Sequence, residues 1–368
     1  MQKFLVIQTA FIGDVVLATA IIEKLHQSFP DAQIDFLVRK GNEALLAGHP
    51  WLNEVLVWDK KEGKLKNLWR MGRLIRKKHY DKVINVQRFA ATGLLTAFSS
   101  AKETIGFDKN PLSRFFTKRI PHIVSAPVKP GSFKTGATPL HEVDRNQLLI
   151  KDITDEKPAK PRLYPSRQDE AKVQPYKTNI PYVTISPASV WFTKQYPKEK
   201  WVAFINQVPK NYHIYLLGAP SDKPLAQYIL QETEPQTPTT QNPTTQIPTT
   251  QNPAPARITN LTGQLTFLQS AALMRTAAMN YVNDSAPMHF ASSVNAPVTA
   301  VYCSTIPGFG FGPLSDISNI VEIQQPLDCR PCGLHGYKAC PKGHFNCAHK
   351  IEESQLLQTL ITSRPDGH

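Results

Sequence analysis

An apolar run, "FLVIQ", gives way to "TAFIGD", so Gly13 and Asp14 stand where a strand hands over to a helix. A carboxylate at such a junction has two readings. It caps the helix, worth about 0.5–2 kcal/mol. Or, where the junction opens into a cleft, it takes the proton of an incoming hydroxyl. Far along the chain, "VNDSAPMHFASSV" places Asp284, Ser285 and Ala286 in a turn of small residues, with Pro287 suited to a first helical turn and His289 one turn in. Backbone N–H groups and the helix dipole at such a start favour an anion, and Ser285 and His289 can add hydrogen bonds. The plainer alternative is an Asp/Ser cap followed by a buried histidine. In "SPASVWFTKQYP", Ser186 and Ser189 sit in a loop after a strand, and Lys194 precedes the next helix. Beside a diphosphate this lysine would neutralise a leaving nucleotide; elsewhere it would simply be solvated.

Two further stretches carry chemistry-bearing side chains. Cys329, Cys332, Cys340 and Cys347 follow a C-x2-C-x7-C-x6-C spacing with His335, His344 and His349 nearby. Thiolates and imidazoles are the ligands a structural zinc takes, although the second pair lacks the tight spacing of a zinc ribbon. A loop packed against the cleft is the alternative. The segment 64–78, "KLKNLWRMGRLIRKK", places Leu65, Leu68, Trp69 and Ile75 near one helical face and crowds the rest with lysine and arginine. It reads as a surface helix packed on a sheet, or as a basic face for anionic lipid headgroups.

The elements that must position these residues alternate between strand and helix. "KFLVIQ", "AQIDFLVRK", "EVLVWD" and "KVINVQ" read as strands; helices with apolar residues at helical spacing lie between them, the first carrying Val15, Ala18, Ile22, Leu25 and Phe29. From "YVTISPAS" onward the same logic repeats. Such βαβ series predict an α/β protein with two doubly wound, Rossmann-like halves facing across a cleft, and place ligands at the carboxyl ends of the strands. The expected domains are 1–165 and 175–350, joined through a Pro-rich, charged stretch, with a C-terminal helix and tail at 351–368. Within the second domain, 234–256 contains near-repeats of "PTTQN" that bury too little surface to offset their ordering entropy, and reads as a disordered insertion.

Composition bounds the function classes. With 368 residues and 41% hydrophobic content, the chain has material for two cores, and 42 Lys plus Arg against 29 Asp plus Glu give a formal charge of +13. That balance implies anionic partners. No nucleic-acid-binding motif accompanies it, so no nucleic-acid partner is expected. The N-terminus does not read as a signal peptide, and no window approaches the roughly 20 apolar residues of a spanning helix. The expected location is the cytoplasm, with peripheral contact to the inner membrane.

Taken together, "FLVIQTAFIGDVVLATAII", "VINVQRFAATGLLTAFSSAKETIGF", "HEVDRNQLLI", "LLGAPSDK", "NLTGQLTFLQSAALM" and "YVNDSAPMHFASSVNAPVTAVYCST" resemble the ADP-heptose:lipopolysaccharide heptosyltransferases, glycosyltransferase family 9. "STIPGFGFGPLSD" is closer to the heptosyltransferase II branch. The resemblance implies a GT-B fold, an inverting transfer without cofactor or metal, a nucleotide-sugar donor (ADP-heptose) on the C-terminal domain, and a phosphorylated lipid-linked glycan acceptor on the N-terminal one, at the inner leaflet. It makes Asp14 the catalytic base and Lys194 the lysine that stabilises the departing diphosphate. It assigns Ser186, Ser189, Lys194, Asp284, Ser285, Ala286 and His289 to the donor, and Gly13, Arg88, Arg119, His141 and Arg145 to the acceptor. One departure stands out: Ala286 occupies the usual glycine of the second signature, where a methyl crowds a phosphate. Competing readings are another nucleotide sugar or glycan acceptor, and a non-catalytic nucleotide-binding protein; the presence of both Asp14 and Lys194 argues against the latter.

Overall fold

The run "KFLVI" becomes β1 (Lys3–Ile7), a strand paired on both sides and buried on both faces, which is why it is apolar without alternation. The structure, a computed structural model, describes residues 1–61, 63–123, 140–233 and 257–362. The repeat at 234–256 and the tail from 363 lie outside them. After β1 come α1 (Ile12–Ser28), β2 (Gln33–Arg39), β3 (Glu54–Trp58), α2 (Lys64–Lys78), β4 (Lys82–Asn85), α3 (Ala90–Ala97), β5 (Glu103–Phe107), β6 (Lys118–Ile120) and α4 (Glu142–Gln147). The second half runs α5 (Arg167–Val173), β7 (Tyr182–Ser186), α6 (Lys198–Gln207), β8 (His213–Leu216), α7 (Lys223–Thr233), β9 (Ile258–Asn260), α8 (Phe267–Met274), β10 (Met279–Asn283), α9 (Ala286–Ser293), β11 (Val298–Tyr302), β12 (Ser318–Glu322), α10 (Asn346–His349) and α11 (Glu353–Thr362).

Two parallel six-stranded sheets result, ordered β3-β2-β1-β4-β5-β6 and β12-β11-β10-β7-β8-β9. Renumbered within its own half, the second sheet has the same order as the first. In each, the chain reverses direction across the sheet between its first and fourth strands: β1 beside β4, with Ile7 opposite Asn85, and β7 beside β10, with Ile185 opposite Tyr281. Ligands of open α/β sheets bind at that switch point. The segments that follow these strands carry Asp14, in the first turn of α1, and Arg88, Lys194 and Asp284.

α1 explains how the halves meet. Every residue from Val15 to Leu25 is buried, which suits a helix enclosed on all sides. One face packs on the first sheet; others meet α4 and α9. A single apolar cluster therefore runs from Phe4, Val16 and Ile22 through Leu273 and Met288 to Tyr302, joining both halves. α5, inside the Pro-rich stretch, packs on α8 of the second half, its start set by a capping box of Ser166 and Asp169. α11 lies against α6, tied by Lys200 to Glu353 at 2.7 Å and by the Tyr281 hydroxyl to the Leu356 carbonyl at 3.2 Å. The C-terminal helix thus belongs to the second half.

Candidate active site

The amino end of α1 is held from several directions. Lys60, after β3, donates to the Thr9 hydroxyl at 2.8 Å and its carbonyl at 3.1 Å. Asn42 donates to the Ala10 carbonyl at 3.0 Å, and the Gln87 amide, after β4, donates to the Gln8 side chain. Asp14 then sits in the first turn, its carboxylate accepting the Phe11 N–H at 3.2 Å. It therefore does cap the helix. It also does more: burial raises its pKa above the ordinary carboxylate value, against the lowering effects of the Phe11 N–H, His335 and Arg88. A carboxylate raised by desolvation is a stronger base than a solvated one.

Across the cleft, Asp284 follows β10 and Ser285 stands at the N-cap position of α9, its hydroxyl donating to the Asn283 carbonyl at 3.3 Å. The Asp284 carboxylate receives the Lys194 ammonium at 2.7 Å and the Thr305 hydroxyl at 2.7 Å. Asp284 thus holds Lys194 in place. Ser285 and Ala286, half-buried, stand at the opening of α9. Ser186 is buried at the end of β7 with no partner for its hydroxyl among the described residues, while Ser189 lies in the next loop, its carbonyl taken by Gln195 at 2.6 Å. His289 is buried; desolvation, with Lys194 and His141 nearby, pushes its pKa down to about 3, so it serves as a neutral imidazole. Its Nδ1 has no partner among the described residues.

Gly13 is where the halves touch. A Cβ there would lie 2.9 Å from His289 Cδ2, closer than real contacts, and 3.8 Å from the Ala286 Cα. Only glycine lets the amino ends of α1 and α9 approach this closely, which sets the candidate base opposite the candidate anion site.

Lys194 ends a short 3-10 turn, Phe192–Lys194, whose middle residue is a hub. The Thr193 hydroxyl accepts the Tyr337 N–H at 2.7 Å and the Ser304 hydroxyl at 3.0 Å, and the Thr193 N–H donates to the Tyr337 carbonyl at 3.1 Å. Gly336, at φ +78°, packs so tightly on Lys194 that a side chain there would meet its Cγ at 3.0 Å. The cysteine-bearing loop 329–347 is therefore a brace behind Lys194. Arg330 anchors it to the carbonyls of Cys303 and Thr305, each at 2.8 Å. His335, on the same loop, lies near enough to Asp14 to help lower its pKa. No catalytic spacing marks His335 in the sequence; its neighbours, the Cys loop and Gly336, were the only signal.

The other expected site residues have surroundings of their own. At Cys329, Cys332, Cys340 and Cys347 no three such groups gather as a metal cage among the described residues, and none of the four thiols is in a disulfide. Cys332 donates to the Cys329 carbonyl at 3.1 Å, and Cys347 is buried in the second core, its pKa pushed up to about 12 by desolvation and by the neighbouring thiols. His141 and Arg145 are engaged within the protein. His141 caps α4, its Nδ1 accepting the Val143 N–H at 3.1 Å while Nε2 donates to the Gly312 carbonyl at 3.1 Å. The Arg145 guanidinium, almost fully buried, serves Ile123 and Leu140 carbonyls and pairs with Glu142. Both hold the junction between the halves, where the Glu142 N–H also meets the Gly310 carbonyl at 2.7 Å. Arg119 is exposed on edge strand β6, two strands from the switch point. Of the acceptor-side residues, Gly13 and exposed Arg88 lie at the site. Half-buried Glu142, missed in the sequence, has its pKa raised to about 7 by desolvation, with Asp14 adding to it and Arg145 and Arg88 opposing.

Comparison with known proteins identifies the family and the fold. The family model "Glycosyltransferase family 9 (heptosyltransferase)" matches residues 68–333. The chain is 25% identical over 302 residues to lipopolysaccharide heptosyltransferase 3 of Escherichia coli, covering 80% of this chain and 82% of that protein. Its fold is similar to that of E. coli ADP-heptose lps heptosyltransferase II (TM-score 0.73, 19% identity, 98% of both chains). It is also similar to that of E. coli heptosyltransferase WaaC with ADP-2-deoxy-2-fluoro heptose (TM-score 0.68, 16% identity, 99% of this chain and 100% of that one). The two facing sheets are thus a GT-B fold, and the chain belongs to glycosyltransferase family 9, the heptosyltransferases, and is a glycosyltransferase.

Proposed function

We propose that this enzyme transfers a heptose from ADP-heptose to a sugar hydroxyl of a lipopolysaccharide inner core, with inversion at the anomeric carbon and without a metal ion. The observation that carries the reading is the close approach of the amino ends of α1 and α9 at Gly13 and His289, which sets Asp14 against the Lys194–Asp284 pair. The relatives' names supply the sugar and the acceptor class.

The residues divide the work. Asp14 takes the proton of the acceptor hydroxyl as its oxygen attacks the anomeric carbon. The bond from that carbon to the diphosphate breaks, and its electron pair leaves on the β-phosphate oxygen of ADP. Lys194 meets the developing charge, and the first N–H groups of α9 add theirs, with neutral His289 and the Ser186 and Ser285 hydroxyls as hydrogen-bond donors. A fixed lysine supplies the positive charge that a divalent cation supplies elsewhere. Arg88, beside Asp14, suits a phosphate of the acceptor.

The test is a transfer from ADP-heptose to a delipidated inner-core oligosaccharide in excess EDTA, with the new linkage read by NMR. Inverted configuration and an undiminished rate are expected. Retained configuration, or loss of activity restored by Mg²⁺, would overturn the mechanism.

A further inference from the structure

α2 violates the usual placement of charge. Its 15 residues include seven cations and no acid, and two lysines, Lys64 and Lys66, occupy the first turn, where the helix dipole disfavours them. Among the described residues no side chain caps its start. A helix built only to cover a sheet would place acids there. Its inward face is ordinary: Met71 and Ile75 are buried against Leu56, Trp58 and Leu95, and Lys78 is spent on Asp35 at 3.0 Å and on Glu54. The outward face is not. Leu65 and Trp69, one turn apart, are 74% and 73% exposed. Around them stand Lys66, Arg70, Arg73, Arg76 and Lys77, all exposed and none paired with a carboxylate among the described residues.

We infer that this face docks on an anionic lipid surface. An indole and a leucine flanked by cations match the interfacial region of a bilayer, where the ring enters the headgroup layer and the cations meet phosphates. A purely electrostatic partner would need the cations and leave the exposed Trp69 and Leu65 unexplained. No helix among the described residues is long and apolar enough to cross a membrane, so the contact is peripheral. The start of α2 leaves the carboxyl edge of the first sheet, the same edge as the Asp14 and Arg88 loops. Docking there turns the cleft towards the lipid surface. The inference does not rest on the chemistry proposed above, because lipid binding needs neither donor nor acceptor.

Full-length protein would be floated with vesicles of phosphatidylcholine alone or with added phosphatidylglycerol. Binding that requires the anionic lipid and falls at about 0.5 M NaCl is expected. The double variant Leu65→Ser/Trp69→Ala and the triple variant Lys66→Glu/Arg70→Glu/Arg73→Glu should each weaken binding by about tenfold or more. Both should keep wild-type thermal melting and wild-type activity on a delipidated acceptor. Vesicle binding unchanged by both variants would overturn the inference. So would the absence of binding by the wild type, or a surface that captures an oligonucleotide more tightly than anionic vesicles with Trp69→Ala indifferent. If the enzyme proves inactive on ADP-heptose while vesicle binding follows α2, the donor assignment fails and this surface stands.

Discussion

At Asp14 the chemistry turns on protonation. On the proposed mechanism the transfer needs its ionised form, and burial raises its pKa above the ordinary carboxylate value of 3.8, so kcat/KM should fall as pH drops through that raised value. Arg88 opposes the shift. Arg88→Gln should therefore move the acidic limb to higher pH, whatever it does to acceptor affinity; a limb that stays put or moves down would remove Arg88 from the Asp14 field. Gly13→Ala sets two effects against each other. Alanine favours a helix by about 1 kcal/mol. The added methyl, however, lies 2.9 Å from His289. Overpacking should win, lowering stability by about 1–2 kcal/mol in urea unfolding and raising KM for the donor. A stabilised, fully active variant would show that the halves do not meet as described. Asp284→Asn removes the counter-charge of a largely buried lysine and should cost about 3 kcal/mol together with much of kcat. Asp14 and Lys194 were legible because each follows a strand of an evident βαβ pattern. For His141 and Arg145 the sequence could not distinguish partners: a basic residue beside a short helix looks the same whether it meets a phosphate or a carbonyl. Here the carbonyls belong to Gly312, Ile123 and Leu140.

Among the elements, those with strong periodicity agree with the sequence reading. α2 spans the expected 64–78, and the strands β1 to β4 fall inside the quoted runs. Short edge strands left no signal: β6 and β9 have three residues each, too few for a pattern, and pair on the strength of their neighbours. The cysteine-bearing loop was legible as an anomaly but not as a brace, since its role depends on contacts with Thr193, more than a hundred residues earlier. Thr193→Val tests that role. The change keeps the shape but leaves the Tyr337 N–H and the Ser304 hydroxyl without their acceptor, costing about 1–3 kcal/mol. Faster hydrogen exchange at Tyr337 and a lower kcat with donor KM less affected are expected. Unchanged exchange and rate would leave the loop a passive cover.

For the whole molecule, the repeated sheet order matters most. Two sheets of the same topology, joined through α1 and α9, put their switch points face to face, and the four loops after β1, β4, β7 and β10 converge there. The sequence implied two facing halves; it could not show that one apolar cluster spans both, because α1 reads as a single amphipathic face until α9 covers its other sides. The central claim is that Asp14 serves the transfer and does not merely cap a helix. It is tested most directly by acceptor-dependent release of ADP from ADP-heptose, comparing wild type with Asp14→Asn, an isosteric change that keeps an acceptor for the Phe11 N–H. A loss of about 10²–10⁴-fold in kcat with thermal stability retained is the expected result. A folded variant that releases ADP within a few fold of wild type would contradict the account and leave Asp14 as a cap.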